Sequence, residues 1–177
     1  EETGDRRVAG ATEEEVYRAV GLACIPSEIR EDGGEIEAAL DGRLPTLVTQ
    51  DEIRGDLQLH TTWSDGVHPL GELAAGVRAR GYQYMAVTDH SKSSTVAGGM
   101  DEARVVAFAG EVREFNRQGR GIRVFSGIEC DILRDGRMDL AEDALAELDF
   151  VVGSVHSYMN IESAEMTDRL MRSLESP

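Results

Sequence analysis

The sequence predicts an α/β fold, and two observations carry that prediction. From residue 55 onwards, short apolar stretches of strand character alternate with longer stretches that place apolar residues on one helical face. Repeated strand–helix units are typical of a parallel sheet or an α/β barrel. The 177 residues are also enough for one domain and a connecting segment. We therefore divide the chain into a mostly helical linker, residues 1–54, and an α/β domain, residues 55–177.

The linker is predicted to contain two short helices. Thr12 and Glu15 form a capping box, whose side chains satisfy the first N–H groups of a helix that ends at Gly21. Pro26 favours extended backbone just before it, and residues 34–40 have the pattern of a second helix. We interpret residues 1–54 as a connection that packs on a neighbouring domain.

The second segment is predicted to contain four strands and four helices. Pro69 begins the first of these helices and Gly81 ends it. Val105, Phe108 and Val112 recur at helical spacing in the next one. The predicted strands are residues 56–60, 82–88, 122–128 and 150–155, and the predicted helices are residues 69–81, 101–118, 141–148 and 163–174.

The charge of the chain excludes one class of function. Asp and Glu total 34 against 18 Lys and Arg, which gives a net charge of −16, and Lys92 is the only lysine. A basic surface that grips nucleic acid is therefore excluded as the main feature. Phosphate chemistry stays open, because bound cations can reverse the local field.

The chain is expected to be cytoplasmic. Its longest run without charged residues, 150–161, is too short to span a bilayer, and its start has no signal-peptide pattern. Cys24 and Cys130 lack metal-ligand spacing. A disulfide between them stays open, although a reduced chain is the simpler interpretation.

Ionisable residues stand at the predicted carboxyl ends of all four strands. His60 ends the first strand, His90 follows the second, Glu129 the third and His156 the fourth. Because parallel strands end at one edge of a sheet, these side chains are expected to converge there. Imidazole and carboxylate groups bind Zn²⁺, Mn²⁺ or Fe²⁺. A single strand-end histidine is more often structural, but four coincident strand ends favour a centre with more than one metal.

Neighbouring polar residues have two interpretations each. Asp65 has the sequence context of a turn residue, and becomes a candidate ligand because it follows His60 by five residues. Asp89 either orients the adjacent His90 or is structural. Lys92 or a nearby arginine is a candidate contact for a phosphate. The serines of residues 91–94 are either solvated or hold a phosphate at the mouth of the site.

Two further residues are predicted to lie outside the site. His68 precedes the helix that begins at Pro69, and we interpret it as a surface or capping residue. Cys130 follows Glu129, so on a strand it faces the other way and serves in packing.

Four segments resemble the ordered motifs of the PHP (polymerase and histidinol phosphatase) domain. They are residues 55–66 (GDLQLHTTWSDG), 87–90 (VTDH), 127–129 (GIE) and 154–156 (SVH). Residues 96–100 (VAGGM), 131–136 (DILRDG) and 166–177 resemble the version of this domain that is fused to bacterial and archaeal family X DNA polymerases. Residues 14–17 and 25–31 resemble the linker that follows the polymerase core.

The resemblance implies a fold, a cofactor and an activity. The fold would be part of a distorted seven-stranded (β/α)7 barrel, with two to three Mn²⁺ or Zn²⁺ ions. The activity would be 3′→5′ exonuclease or related 3′-end processing in DNA repair. DNA 3′ ends would be held mainly by a polymerase domain, which is absent from this sequence and would itself use Mg²⁺. Carried over by motif, the metal ligands are His60, Asp65, His90, Glu129 and His156.

Two departures from the family pattern are visible. The first motif usually reads His-x-His, and its first position here is Gln58, whose amide oxygen is a weaker metal ligand. The family's later motifs, a Gly-His-Pro and an Asp-x-His, do not occur before Pro177. The chain is therefore expected to be a piece of a longer protein and incomplete as an enzyme.

Two alternatives remain open. One is a small-molecule phosphatase of the histidinol-phosphate type, although the linker is an argument against a free-standing phosphatase. The other is a non-catalytic scaffold of a polymerase, and Gln58 is the only feature of the sequence that favours it.

Overall fold

The computed structural model describes residues 9–175. The chain divides into two compact units, the first ending at Thr49 and the second beginning at Gln50. The sequence places the domain boundary nearby, after residue 54, and the role of the first unit as a linker stays a prediction.

The first unit contains two short helices, α1 (Glu13–Ala19) and α2 (Glu35–Leu40). Thr12 caps α1 by accepting a hydrogen bond from the Glu15 N–H, as the capping box predicts. Arg30 donates to the Ile25 carbonyl and to the Glu13 carboxylate, and its guanidinium lies 5.4 Å from the centre of the Tyr17 ring. These contacts give the small unit internal order, although α1 itself has no buried residue.

The second unit is built on a four-stranded parallel sheet. Its strands are β1 (Gly55–Leu59), β2 (Tyr84–Val87), β3 (Arg123–Asp131) and β4 (Phe150–Ser154), and they lie in the order β1-β2-β3-β4. Right-handed crossovers between consecutive parallel strands place the connecting helices on one face. The predicted α/β class is confirmed, and this strand order is the one that α/β barrels use.

Helices α3 (Leu70–Ala79), α4 (Glu102–Arg117) and α5 (Glu142–Leu145) connect the strands, and α6 (Ser163–Ser173) follows β4. The core lies between the sheet and the connecting helices, and it is centred on Phe108 of α4 and Ile128 of β3. On the opposite face, the rings of Tyr84 and Phe125 meet edge to face, with centroids 6.2 Å apart. The apolar residues predicted to face inward from α4 are all buried: Val105, Phe108, Ala109, Val112 and Phe115.

The structure corrects the end of the third strand. The sequence predicts that this strand ends at Ile128, whereas β3 continues to Asp131 and pairs with β4 along this extension, with Glu129 opposite Val152. An isolated bridge also joins His90 to Glu129. Glu129 therefore lies inside a paired strand, which fixes its backbone more firmly than a loop would.

The loops that follow β1 and β2 each contain a glycine that lies very close to other backbone atoms. A Cβ atom added to Gly99 would lie 1.8 Å from the Ser91 carbonyl oxygen, and one added to Gly66 would lie 2.3 Å from that of His60. Only glycine fits at such approaches.

None of the helices in residues 9–175 is long and apolar enough to cross a membrane.

Candidate metal centre

Five predicted ligand residues converge at the carboxyl edge of the sheet. Two groups of side chains offer ligand atoms that lie within 4.8 Å of one another: His60, Asp65 and His90 form one, and His90, Glu129 and His156 form the other. The imidazole centroids of His60 and His90 are 4.5 Å apart, and those of His90 and His156 are 5.6 Å apart. The parallel register of the four strands brings residues together that are almost 100 positions apart in sequence.

Glu129 is the central member of this cluster. Its Oε2 atom lies 3.3 Å from His60 Nε2 and 3.6 Å from His90 Nδ1, while its Oε1 atom lies 3.0 Å from His156 Nε2. The Ser154 hydroxyl at the end of β4 donates to Oε1 over 2.8 Å and orients the carboxylate. Glu129 thus contacts all three histidines of the two groups.

The loop after β1 holds Asp65 next to His60. The Asp65 Oδ1 atom lies 2.8 Å from His60 Nδ1, and the hydrogen bond with His60 holds the pKa of the Asp65 carboxyl below its ordinary value. Asp65 is therefore ionised at neutral pH. It is also the most exposed of the five candidates, with 48% of its side chain accessible, so the cluster is open to solvent on this side.

Asp89 holds the same loop in place through hydrogen bonds. It is fully buried, and its carboxylate accepts hydrogen bonds from the backbone and side chain of both Thr61 and Ser64, at 2.5–3.1 Å. The Ser64 hydroxyl also accepts from the backbone N–H of His90. Of the two roles that the sequence leaves open, these contacts support a structural one for Asp89, because its oxygens are committed to the loop.

The donor set fits a metal ion. His90 Nδ1 is buried and makes no hydrogen bond within residues 9–175, and such orphaned groups are rare and call for an explanation. Two atoms that share a tetrahedral Zn²⁺ at about 2.1 Å each would be separated by about 3.4 Å. The contacts of His60 and His90 with Glu129, at 3.3 and 3.6 Å, are close to that separation. The cluster can therefore supply imidazole and carboxylate ligands without large rearrangement.

The number of ions is limited by His90, which both groups share. A neutral imidazole has one unprotonated nitrogen, so His90 can serve one ion at a time. The two groups therefore offer one complete set of three ligands, and a second ion would have a carboxylate and a histidine from this cluster. The two to three ions implied by the resemblance stay a prediction.

Gln58 lies beside the centre in a different role from the histidine it replaces. Its side-chain Nε2 donates to Glu129 Oε2 over 3.1 Å. In this orientation the amide hydrogens, which cannot bind a metal, point at the carboxylate. Gln58 therefore orients Glu129, and a ligand role for its oxygen would require the amide to turn over.

Substituting Gln58 with His tests whether this position is a ligand site. Because imidazole is the stronger ligand, we expect Gln58→His in the natural full-length protein to tighten Mn²⁺ binding by about tenfold, roughly 1.4 kcal/mol. Isothermal titration calorimetry measures this change. Gln83→His, at an exposed position just before β2 and at the opposite edge of the sheet, is the matched control. Unchanged affinity and stoichiometry in Gln58→His would exclude a ligand position.

Lys92, a candidate contact for a phosphate, is paired with a carboxylate in the structure. Its ammonium group lies 2.5 Å from Glu102 Oε1 at the start of α4, and this hydrogen bond raises the pKa of Lys92 while lowering that of Glu102. The expected contact with a phosphate would require this pair to separate.

His68 is exposed and lies 3.3 Å from Glu72, away from both ligand groups, as expected.

Cys130 faces the core on the opposite side of β3 from Glu129, as predicted, and both cysteines in the described chain are free thiols. Burial, together with the hydrogen bond from its Sγ to Asp139, raises the pKa of Cys130 to about 12. Thiolate is the reactive form.

We expect iodoacetamide at pH 8 to label half-buried Cys24 and to leave Cys130 unmodified until the protein is unfolded, as measured by mass spectrometry. Equal labelling of the two thiols in the folded protein would contradict this.

The sequence analysis missed one residue next to the cluster. Asp131 is buried, and its Oδ1 atom lies 2.6 Å from His156 Nδ1. A signal for it existed, because Asp131 follows Glu129 by two residues and so shares its strand face. Ending the predicted strand at Ile128 concealed this relation.

Comparison with known proteins agrees with this arrangement. Residues 56–175 match the model of the PHP domain family, and the chain belongs to this family. The chain is 40% identical to the DNA polymerase/3′-5′ exonuclease PolX of Bacillus subtilis over 173 residues, which is 98% of this chain and 30% of that protein. The resemblance to the version of the domain found in family X polymerases is thereby confirmed.

Shorter stretches of the chain are similar to probable phosphatases. It is 30% identical to a probable phosphatase of Acetivibrio thermocellus over 103 residues, or 57% of this chain and 40% of that protein. It is 33% identical to a probable phosphatase of Caldicellulosiruptor bescii over 88 residues, or 49% of this chain and 34% of that protein. The chain thus spans less than half the length of each of these three relatives.

Proposed function

We propose that this chain carries the active site of a metal-dependent phosphoesterase that processes DNA 3′ ends, with 3′→5′ exonuclease action, as part of a family X DNA polymerase. The observation that carries the proposal is the convergence of His60, Asp65, His90, Glu129 and His156 at one sheet edge. Membership of the PHP family and the similarity to PolX support the hydrolytic class and the DNA substrate. DNA repair, a cytoplasmic location, and DNA contacts made mainly by a polymerase domain belong to the same proposal.

The charge of the cluster favours a bound cation. With neutral histidines, Asp65 and Glu129 give the site two negative charges, and neighbouring Asp131 adds a third. A phosphodiester would be repelled by this field, while Lys92 is paired with Glu102. Bound cations would invert the field. The candidate ions are Mn²⁺ or Zn²⁺, and Mg²⁺ would belong to the polymerase domain.

The side chains of the centre have different roles in the proposed reaction. When bound, the metal ions would hold the phosphate oxygens and lower the pKa of a bound water to yield the nucleophile. His60, His90 and His156 direct ring nitrogens toward the centre, while Glu129 faces all three. Asp65 and His156 are the more exposed members, at 48% and 42% of their side chains, so the phosphate would enter between them. Asp89 keeps the loop of Asp65 in place through Thr61 and Ser64.

We further propose that the sheet forms part of the distorted seven-stranded barrel of the family. The consecutive order of four parallel strands, with helices packed on one face, supports this architecture.

Turnover of defined substrates tests the proposal. The natural full-length protein is stripped of metal with a chelator, reloaded with Mn²⁺, and given a 5′-labelled oligonucleotide or a small phosphomonoester. We expect metal-dependent shortening from the 3′ end, lost in Asp65→Asn. Hydrolysis of the phosphomonoester alone would favour a small-molecule phosphatase, the candidate that the two phosphatase relatives support. Neither metal uptake nor hydrolysis would indicate a scaffold.

A further inference from the structure

The contact between Asp131 and His156 is the shortest that either residue makes near the centre. Asp131 Oδ1 lies 2.6 Å from His156 Nδ1, and the other nitrogen of the ring, Nε2, lies 3.0 Å from Glu129 Oε1. One nitrogen of His156 thus faces a buried carboxylate outside both ligand groups, and the other faces the group that it shares with His90 and Glu129.

We propose that Asp131 is a positioning residue that sets the proton and the orientation of His156. A carboxylate oxygen and a ring nitrogen that lie 2.6 Å apart share a hydrogen bond, and where the carboxylate accepts it, Nδ1 carries the proton. In the neutral ring Nε2 then has the free lone pair and is directed toward the centre. Carboxylates that accept from the far nitrogen of a metal-binding histidine fix the ring and raise its basicity. This inference rests on the proposed function, because it assigns His156 to a metal.

Asp131 is itself held in place by the loop after β2. The Ser94 hydroxyl donates to Asp131 Oδ2 over 3.1 Å, and the Asp131 backbone N–H donates to the fully buried Ser91 hydroxyl over 2.9 Å. Each carboxylate oxygen therefore has its own partner, which leaves the carboxylate little freedom to turn. Ser91 and Ser94, two of the three serines in residues 91–94, thus hydrogen-bond to Asp131 and support the Asp131–His156 pair.

Asp139 provides a matched control for Asp131. It is equally buried, at 5% exposure against 6%, and it pairs with the Asp131 backbone. Its carboxylate accepts from the Cys130 thiol and from the backbone N–H of Ser93, and within residues 9–175 none of its hydrogen bonds involves a histidine. Loss of either carboxylate should lower stability, but only loss of Asp131 should alter the chemistry of His156.

Two readouts separate positioning from a structural role, and both use the natural full-length protein. In Mn²⁺ titrations, we expect Asp131→Ala to weaken binding by about 10- to 100-fold. Asp131→Asn retains an acceptor oxygen and should recover most of this affinity, whereas Asp139→Ala should bind as the wild type does. In the protein loaded with diamagnetic Zn²⁺, ¹⁵N spectra of the His156 ring should show a proton on Nδ1 and the metal on Nε2 in the wild type, and a mixture of the two coordination modes in Asp131→Ala.

Each contrary result has a defined meaning. The inference is overturned if Asp131→Ala and Asp139→Ala weaken binding equally, or if Asp131→Ala has no effect while His156→Ala does; the proposed centre survives both. If His156→Ala also leaves binding unchanged, the proposed centre itself is wrong. If Asp131→Ala fails to fold, the spectrum of the Zn²⁺-loaded wild type decides, because a His156 ring that binds the metal through Nδ1 and has its proton on Nε2 contradicts the inference.

Discussion

Replacing Glu129 with Gln is expected to abolish tight metal binding and to lower hydrolysis by at least about 100-fold, because loss of even an outer partner of a ligand costs about 10- to 100-fold. Glu129 contacts His60, His90 and His156, so its negative charge is shared by the whole cluster. The amide has nearly the same shape but lacks the negative charge that attracts a metal cation. Calorimetric Mn²⁺ titration and oligonucleotide turnover measure the two effects.

A surface carboxylate provides the comparison for this change. Glu147 pairs with Arg113 at 3.1 Å and is 45% exposed, and surface ion pairs contribute about 0–1 kcal/mol. We expect Glu147→Gln to keep both metal binding and turnover. If Glu129→Gln retained metal stoichiometry and activity comparable with Glu147→Gln, Glu129 would not be a ligand.

Replacing Asp89 with Ala is expected to lower the free energy of unfolding by about 3 kcal/mol or more, since it removes the acceptor of two backbone N–H groups at about 1–3 kcal/mol each. These groups belong to Thr61 and Ser64, in the loop that carries Asp65. The same change should therefore weaken metal binding through Asp65. Urea unfolding followed by circular dichroism gives the stability, and calorimetry gives the binding.

Asp101 is the reference for this experiment. It caps α4 by accepting from the Arg104 N–H, and it is exposed, so Asp101→Ala should cost only about 1 kcal/mol. A loss in Asp89→Ala no larger than that in Asp101→Ala would show that the buried carboxylate does not support the loop.

The strands and the residues at their ends could be predicted because both depend on local pattern. Apolar periodicity locates β2 and α4, and a parallel sheet brings its carboxyl strand ends to one edge whatever its exact register. His60, His90 and His156 were therefore placed near one another without knowledge of any distance. The ordered motifs added Asp65 and the family.

Three features depend on tertiary contacts and could not be predicted. The end of β3 at Asp131 is fixed by pairing with β4, because the alternation of residues 128–131 is compatible with a strand but does not show where the pairing ends. The partner of Lys92 is a residue on α4, ten positions away. Gln58 donates to Glu129, 71 positions away, and no local pattern reveals such a contact.

Arg169 is the clearest case of a role that only the fold creates. It lies in helix α6, and it is 1% exposed. Its guanidinium donates to the carbonyls of Ile132 and Leu133 after β3 and to that of Ser157, next to His156. Arginine side chains are mostly exposed, whereas this residue joins the two loops beside the candidate centre.

Anomalous X-ray scattering from Mn²⁺-loaded crystals of the natural full-length protein tests the central claim most directly. The account predicts an anomalous peak at about 2.0–2.3 Å from imidazole and carboxylate ligand atoms, among His90, Glu129 and His156 or among His60, Asp65 and His90. The His156 ring would coordinate through Nε2, with Asp131 on Nδ1. Loaded crystals whose anomalous peaks all lie away from these residues would contradict the metal centre and the function proposed from it.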